Sequence, residues 1–195
     1  MSHLKWLIFF KLNNNRSIVK NKLIQLIHKD KSRMHALRVL HGLDLPCAYI
    51  AAGFIRNLVW DELHHYDQRT ALNDIDVIYF APNETLSEEK VYQHRLKIIA
   101  PEFNWQVKNQ AYMHLKHHHL PYTSVLEAMR YWPEKETAIA VRINQQGQLE
   151  LLIGFDVYSI FEGYISHNSV VPDSVFHERI VKKQWLIHWP KLKVR

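Results

Sequence analysis

Two aspartates, Asp74 and Asp76, flank Ile75 at the start of the apolar run Val77-Ile78-Tyr79-Phe80. In a strand, side chains two apart point to one face, and their Cα atoms lie roughly 6.5 Å apart. Like charges at that spacing repel, and burial strengthens the repulsion. A divalent cation between them reverses the sign. Mg²⁺ favours one or two carboxylates, completed by water and substrate phosphates. Upstream, Ala51-Ala52-Gly53-Phe54-Ile55-Arg56-Asn57 offers a complementary half. Here a strand ends, a small-residue turn follows and a helix begins. The first turn of a helix presents unpaired N–H groups and partial positive charge to a phosphate. Gly53 allows close approach to the backbone. Arg56, about one turn on, can grip phosphate oxygens with its fork. A phosphate cradle beside a metal-binding pair is a coherent nucleotide site. Each feature alone is common; their order carries the weight.

The elements that must position these groups follow from apolar spacing. Residues 18–43 have helical periodicity, with a polar stretch at His28–Arg33 that divides them into two helices and Gly42 as a stop. Cys47–Ala51 reads as a buried strand, Phe54–His64 as a helix and Asp74–Phe80 as a second strand closed by Pro82-Asn83. Ser87 caps a helix over Glu88–Ile99. Trp105–Val107 is a short strand, followed by a helix from Asn109 and another over Thr123–Tyr131. Thr137–Ile143 and Gln148–Ile153, joined by Asn144-Gln145-Gln146-Gly147, form a hairpin, and Asp156–Tyr164 and Phe176–Trp189 are the closing helices. The order predicts an α/β (α+β) fold, a mixed sheet flanked by helices. A single domain spans 1–195, with the motif residues in a head over 18–120 and a small hairpin-and-helix lobe over 121–195.

Composition sets the frame. The chain has 195 residues, 47% of them apolar and 23% charged, enough to bury a core. Its net charge of +6 fits anionic partners, such as nucleotides, nucleic acids or anionic membranes, although charge alone reads first as a soluble basic surface. The single cysteine, Cys47, reads as a small core residue in a reducing compartment. Trp6–Phe10 is apolar but falls far short of the ~20 residues of a membrane span, and reads as a docking segment or an untidy terminus. A cytoplasmic protein with no membrane partner is expected.

Other residues invite chemistry with less force. Lys108-Asn109-Gln110 opens a helix; Lys108 can meet a phosphate while Asn109 reaches the site, or Asn109 can be a plain N-cap. His117-His118-His119 lacks zinc-ligand spacing and reads as a polar face or loop. His64-His65 reads as an exposed helix end, and Trp60, Trp105 and Trp185 as core.

Ile50–Asn57 followed by Asn73-Asp74-Ile75-Asp76-Val77-Ile78-Tyr79-Phe80 resembles the polymerase-beta-like nucleotidyltransferase superfamily, and within it the head domain of tRNA CCA-adding enzymes. With Lys108-Asn109-Gln110-Ala111, Met113-His114, Trp132-Pro133, Trp185 and Trp189-Pro190, the chain looks like a bacterial nucleotidyltransferase-like family whose substrate the resemblance leaves open. The likeness implies transfer of a nucleoside monophosphate from a nucleoside triphosphate to an acceptor, releasing pyrophosphate. Asp74 and Asp76 would be the catalytic and metal-binding residues for Mg²⁺ or Mn²⁺. Ala52, Gly53, Arg56 and Lys108 would bind phosphate, and Asn57, Asn73, Gln106 and Asn109 would be candidate pocket residues. The sequence departs from the pattern at Ala52, where the motif has Gly, and at Asn57, where it has Asp. It also has Gln106 where a third carboxylate is usual, with Glu102 and Asp156 as substitutes. These departures support a competing expectation, a nucleotide-binding or RNA-binding module on the same fold that has lost turnover.

Overall fold

The computed structural model describes residues 17–195, apart from Asp44, Pro46, Leu86 and Val157. The Trp6–Phe10 segment therefore lies outside the described residues. Helix α1 covers 17–29 and α2 covers Lys31–Gly42. The division falls inside the polar stretch because Asp30 caps α2, accepting from Arg33 N at 2.9 Å. Strand β1 (Tyr49–Ala51) leads through Ala52 into α3 (Gly53–His64), then β2 (Ile75–Tyr79), α4 (Glu88–Ile99) and β3 (Trp105–Asn109). Short helices α5 (Met113–His117) and α6 (Val125–Met129) precede the hairpin β4 (Ile139–Ile143) and β5 (Leu149–Ile153). The chain closes with α7 (Tyr158–Phe161), β6 (Tyr164–Ile165), α8 (Asp173–Lys183), α9 (Trp185–His188) and β7 (Lys193–Val194).

Five strands form one mixed sheet in the order β3-β2-β1-β4-β5. Only β2 and β3 are parallel, and α4 makes the crossover that a parallel pair requires. The hairpin β4–β5 joins the sheet through β1, where Ala51 faces Ala140 on one side and Asp76 on the other. Alternation sorts the strands into two faces. Ile50, Ile75, Val77, Val107 and Val141 join the main core, which runs from Val19 in α1 to Leu192. Tyr49, Ala51, Ile78 and Ala140 face a smaller cluster with Val125 and Met129 of α6. Asp76 stands on this second face, between Ile75 and Val77 of the core face. At the outer edge, Asn109 N donates to Glu89 Oε1 at 2.8 Å and Val107 N to Gln93 Oε1 at 3.1 Å, so α4 occupies the free edge of β3.

Several local expectations are corrected. Cys47 is exposed with φ 53°, a turn residue ahead of β1 and not a core residue. Ser87 makes no side-chain cap of α4; its hydroxyl donates to Glu88 Oε2 at 2.9 Å. Thr137 closes a 3-10 turn over Lys135–Thr137. Tyr164 leaves the helix to pair with Lys193 in a two-stranded parallel sheet. The last long helix starts at Asp173, directly after Pro172, and breaks at Gln184, which takes φ 52°. No helix among the described residues is long and apolar enough to cross a membrane.

Candidate active site

The turn between β1 and α3 sets the geometry. Ala51 lies opposite Asp76 in register, and the chain turns immediately afterwards at Ala52. Ala52 has φ 57° and ψ −120°, a conformation that glycine adopts and alanine avoids. Its N–H still bonds Ile139 O at 3.0 Å, and its carbonyl accepts from Ile55 N and Arg56 N, so sheet and helix both hold it. The turn aims the N-terminus of α3 into a cavity of about 230 Å³ that also contains Asp74 and Asp76. A Cβ at Gly53 would lie 3.3 Å from Arg56 Nη2, so glycine leaves that guanidinium its place. A larger cavity of about 480 Å³, bordered by Cys47 and Arg142, contains neither aspartate.

Arg56 is 7% exposed. It donates from Nη1 to Thr137 Oγ1 at 2.8 Å and from Nη2 to Asn57 Oδ1 at 3.1 Å. Its guanidinium stacks on Trp185 at 4.4 Å and Trp60 at 4.9 Å. Burial lowers its pKa to about 10, with Arg179 acting in the same direction, while Glu134, Asp76 and Glu136 pull the other way. It remains cationic at neutral pH. Two further cations come from α8: Arg179 and Lys183, four residues apart and on one helix face, border the same cavity. Glu134, fully buried, fixes Arg179 by accepting from Nε at 2.6 Å and Nη2 at 3.3 Å. Glu136 accepts from Ser159 Oγ at 2.5 Å and from Ser166 N at 2.7 Å, which ties the 3-10 turn carrying Thr137 to α7 and β6.

The two aspartates differ. Asp74 is exposed and accepts from Asn104 Nδ2 at 2.6 Å. Asp76 is half-buried, and desolvation and then the charge of Asp74 raise its pKa against the pull of Arg56, Lys183 and Arg179. Burial dominates, so the carboxylate lacks full compensation from the residues around it. Among the described residues no set of three His, Cys, Asp or Glu side chains converges on a metal position. Two carboxylates fit a Mg²⁺ or Mn²⁺ ion whose remaining ligands are phosphate oxygens and water.

Of the residues singled out in the sequence, Ala52, Gly53, Arg56, Asn57, Asn73, Asp74 and Asp76 border one cavity. Gln106 lies beside Asp76 in the β2–β3 register, exposed, and is a neutral amide. Lys108 Nζ is instead engaged with Glu89 Oε2 at 3.0 Å and does not border the cavity. Asn109 is buried as a staple: Oδ1 accepts from Ala81 N and Ala111 N, both at 3.1 Å, and Nδ2 donates to Ala81 O at 2.7 Å. Glu102 bonds His35 Nε2 at 2.8 Å, and Asp156 accepts from Tyr158 N at 3.1 Å; neither borders the cavity. His64 is buried, not exposed: Lys191 N donates to its Nε2 at 2.9 Å, so the ring proton sits on Nδ1 and is given to Trp60 O at 2.7 Å. Sequence reasoning missed Thr137, Arg179 and Lys183. For the last two a signal existed, since basic residues four apart on a predicted helix share a face.

Comparison with known proteins decides the family. The family model described as nucleotidyltransferase matches residues 38–194. The chain belongs to the nucleotidyltransferase family. The chain is also similar to a solved structure described as revealing a CCA-adding enzyme head domain, at 27% identity and a TM-score of 0.79, over 90% of this chain and 95% of that one. Similarity in fold extends to a CCA-adding enzyme in complex with CTP (15% identity, TM-score 0.58, 91% of this chain and 43% of that one). It also extends to the Thermotoga maritima CCA-adding enzyme complexed with tRNA (13% identity, TM-score 0.58, 88% of this chain and 42% of that one). The nucleotidyltransferase chain described here thus spans less than half the length of those two enzymes. No curated protein matches it.

Proposed function

We propose that this nucleotidyltransferase moves a nucleoside monophosphate from a nucleoside triphosphate to an acceptor and releases pyrophosphate. One observation carries the reading: two carboxylates, a helix N-terminus and three cations border one cavity. A triphosphate is polyanionic and needs positive charge on several oxygens, which Arg56, Arg179, Lys183 and the first N–H groups of α3 offer. Asp74 and Asp76 would hold the divalent ion, which when bound supplies the charge that offsets both carboxylates and polarises the attacked phosphate. Lys108 has no part in this arrangement, because it does not border the cavity. The catalysis assigned to the chain is positioning: Thr137 and Asn57 fix Arg56, and Glu134 fixes Arg179. An RNA end is an acceptor class consistent with the +6 charge, and one enzyme of the same fold is complexed with tRNA. With its single cysteine the protein is assigned to the cytoplasm.

The reading is tested with α-phosphate-labelled nucleoside triphosphates and Mg²⁺ or Mn²⁺, following pyrophosphate release and label transfer to RNA. Asp74→Asn and Asp76→Asn should each abolish both signals while retaining the fold. Equal release by wild type and both variants would exclude the aspartate pair as the reacting centre. Gln106 beside Asp76 favours a second reading, a nucleotide-binding module without turnover. Saturable, Mg²⁺-dependent triphosphate binding with no pyrophosphate release from any of the four nucleotides would establish it.

A further inference from the structure

Arg56, Arg179, Lys183 and the aspartates suit phosphates; of the rings at their cavity, Trp185 is covered by Arg56 and Trp189 is tied to Asp61, which leaves His188. A separate cavity of about 210 Å³ lies along the same helix α8. Val175 borders it, while Arg179 and Lys183, one and two turns further on, border the carboxylate cavity. Each such step along the helix is ~6 Å. Pro133 borders it too, and the next residue, Glu134, holds Arg179. The sheet leads to the same place, since Gln110 follows β3 and Gln106 of that strand stands beside Asp76.

Part of the wall of this cavity is made of flat rings, and valines, prolines, Met113 and Ala128 supply most of the rest. Tyr122 and Tyr131 lie 5.1 Å apart between centroids, and His119 lies 4.6 Å from Tyr131. His119 Nδ1 and the Tyr122 hydroxyl share a hydrogen bond of 2.6 Å that fixes both rings. Trp132 lies on the same wall. Gln110, which is 3% exposed and carries a primary amide, also borders the cavity. A primary amide has two donors and an acceptor with two lone pairs. Among the described residues Gln110 makes one long hydrogen bond, from Nε2 to Lys108 O at 3.4 Å. That leaves hydrogen-bonding capacity on the amide that a ligand can use. Aromatic faces with an amide at their edge complement a planar heterocycle carrying donors and acceptors. The volume falls below the ~300 Å³ at which pockets accept whole drug-sized ligands, so it suits one ring system.

We propose that this cavity is a nucleobase site that seats the ring of a nucleotide whose phosphate end runs along α8 towards Asp74 and Asp76. Its purpose rests on the nucleotidyl-transfer reading; its existence does not. The base belongs either to the incoming triphosphate or to the end of the acceptor, and the chemistry recognised is the same.

The test titrates the full chain with adenosine, guanosine, cytidine and uridine, and separately with inorganic tripolyphosphate plus Mg²⁺, following ring and guanidinium resonances by NMR. At least one nucleoside should shift Tyr122, Tyr131 and His119 saturably, whereas tripolyphosphate should shift Arg56 and Arg179. Gln110→Leu and Val175→Trp should each weaken nucleoside binding about tenfold or more and leave tripolyphosphate binding unchanged. Val175 is 39% exposed, so filling the cavity from this side spares the core. With a nonhydrolysable triphosphate bound, exclusion of an added nucleoside monophosphate assigns the base to the donor; its continued entry assigns it to the acceptor. Absence of ring shifts with all four nucleosides, or unweakened binding in Val175→Trp, overturns the proposal. Because tripolyphosphate reports on the carboxylate cavity alone, failure of either site is seen separately.

Discussion

Ala52 offers a direct test of backbone strain at the turn between β1 and α3. It and Ala51 are adjacent, 9% and 0% exposed, and belong to the same apolar cluster. Replacing either with glycine removes one buried methyl, about 0.8 kcal/mol, and adds freedom to the unfolded chain, about 0.5–1 kcal/mol. These losses cancel when the two variants are compared. What remains is the backbone, since Ala51 is in a strand and Ala52 has φ 57° and ψ −120°. Such a conformation costs an alanine about 1–3 kcal/mol, and glycine relieves it. Ala51→Gly should therefore destabilise the protein by about 1.5 kcal/mol, and Ala52→Gly should be more stable than Ala51→Gly by about 2 kcal/mol. For a chain of this size that gap is roughly 4–8 °C in Tm. Urea unfolding followed by tryptophan fluorescence measures it, and equal m-values ensure that only stability has changed. Coincident midpoints for the two variants would refute the assignment of strain to Ala52.

Three other perturbations probe the groups around this turn. Burial and Asp74 raise Asp76 above its ordinary value of 3.8, so between that value and the raised one the folded state holds a proton that the unfolded chain has lost. Stability from this group therefore falls as pH rises through the window; Asp76→Asn should remove that fall in melts taken in EDTA at rising pH, and a parallel decline in the variant would contradict it. Thr137→Val strands the buried Nη1 of Arg56, costing about 1–3 kcal/mol and weakening tripolyphosphate binding by calorimetry; unchanged affinity would show that Thr137 does not position Arg56. Asp61, fully buried, accepts from Thr70 N at 2.8 Å, Thr70 Oγ1 at 2.5 Å and Trp189 Nε1 at 2.8 Å. Asp61→Asn should lose about 1.5–3 kcal/mol and speed hydrogen exchange at Thr70, and an unaltered Thr70 rate would rule out that anchor.

Local chemistry was legible in the sequence where it decided the structure. The polar break before Arg33, the small-residue turn at Ala52-Gly53 and the Asp74-Ile75-Asp76 alternation all predicted their elements, because each is set by periodicity or by one turn. The sheet order could not be read this way, nor could the closing segment. Tyr164 looks helical by neighbours but pairs with Lys193, and that contact exists only once the C-terminal chain returns. Pro172 and Gln184 set the true ends of α8, the second through a left-handed residue that no composition rule anticipates. Cys47 looked buried from its apolar neighbours, yet its left-handed backbone turns it outward. Within the site, the half held by one turn and one strand was visible, whereas Thr137, Arg179 and Lys183 arrive from distant positions. Lys108 matched the expected type and position, but Glu89 captures it from across the sheet edge.

The bond from Trp189 to Asp61 and the bond from Lys191 to His64 join the closing segment to α3. During synthesis, the aspartate pair and the turn leave the ribosome well before Arg179, Lys183 and Trp185, which complete the cavity wall. A nascent chain that has displayed only its first motifs carries the acids and Arg56 without Arg179 and Lys183. On the proposed reading, the full set of cations is withheld until translation has passed α8, and truncation ahead of Arg179 removes two of the three.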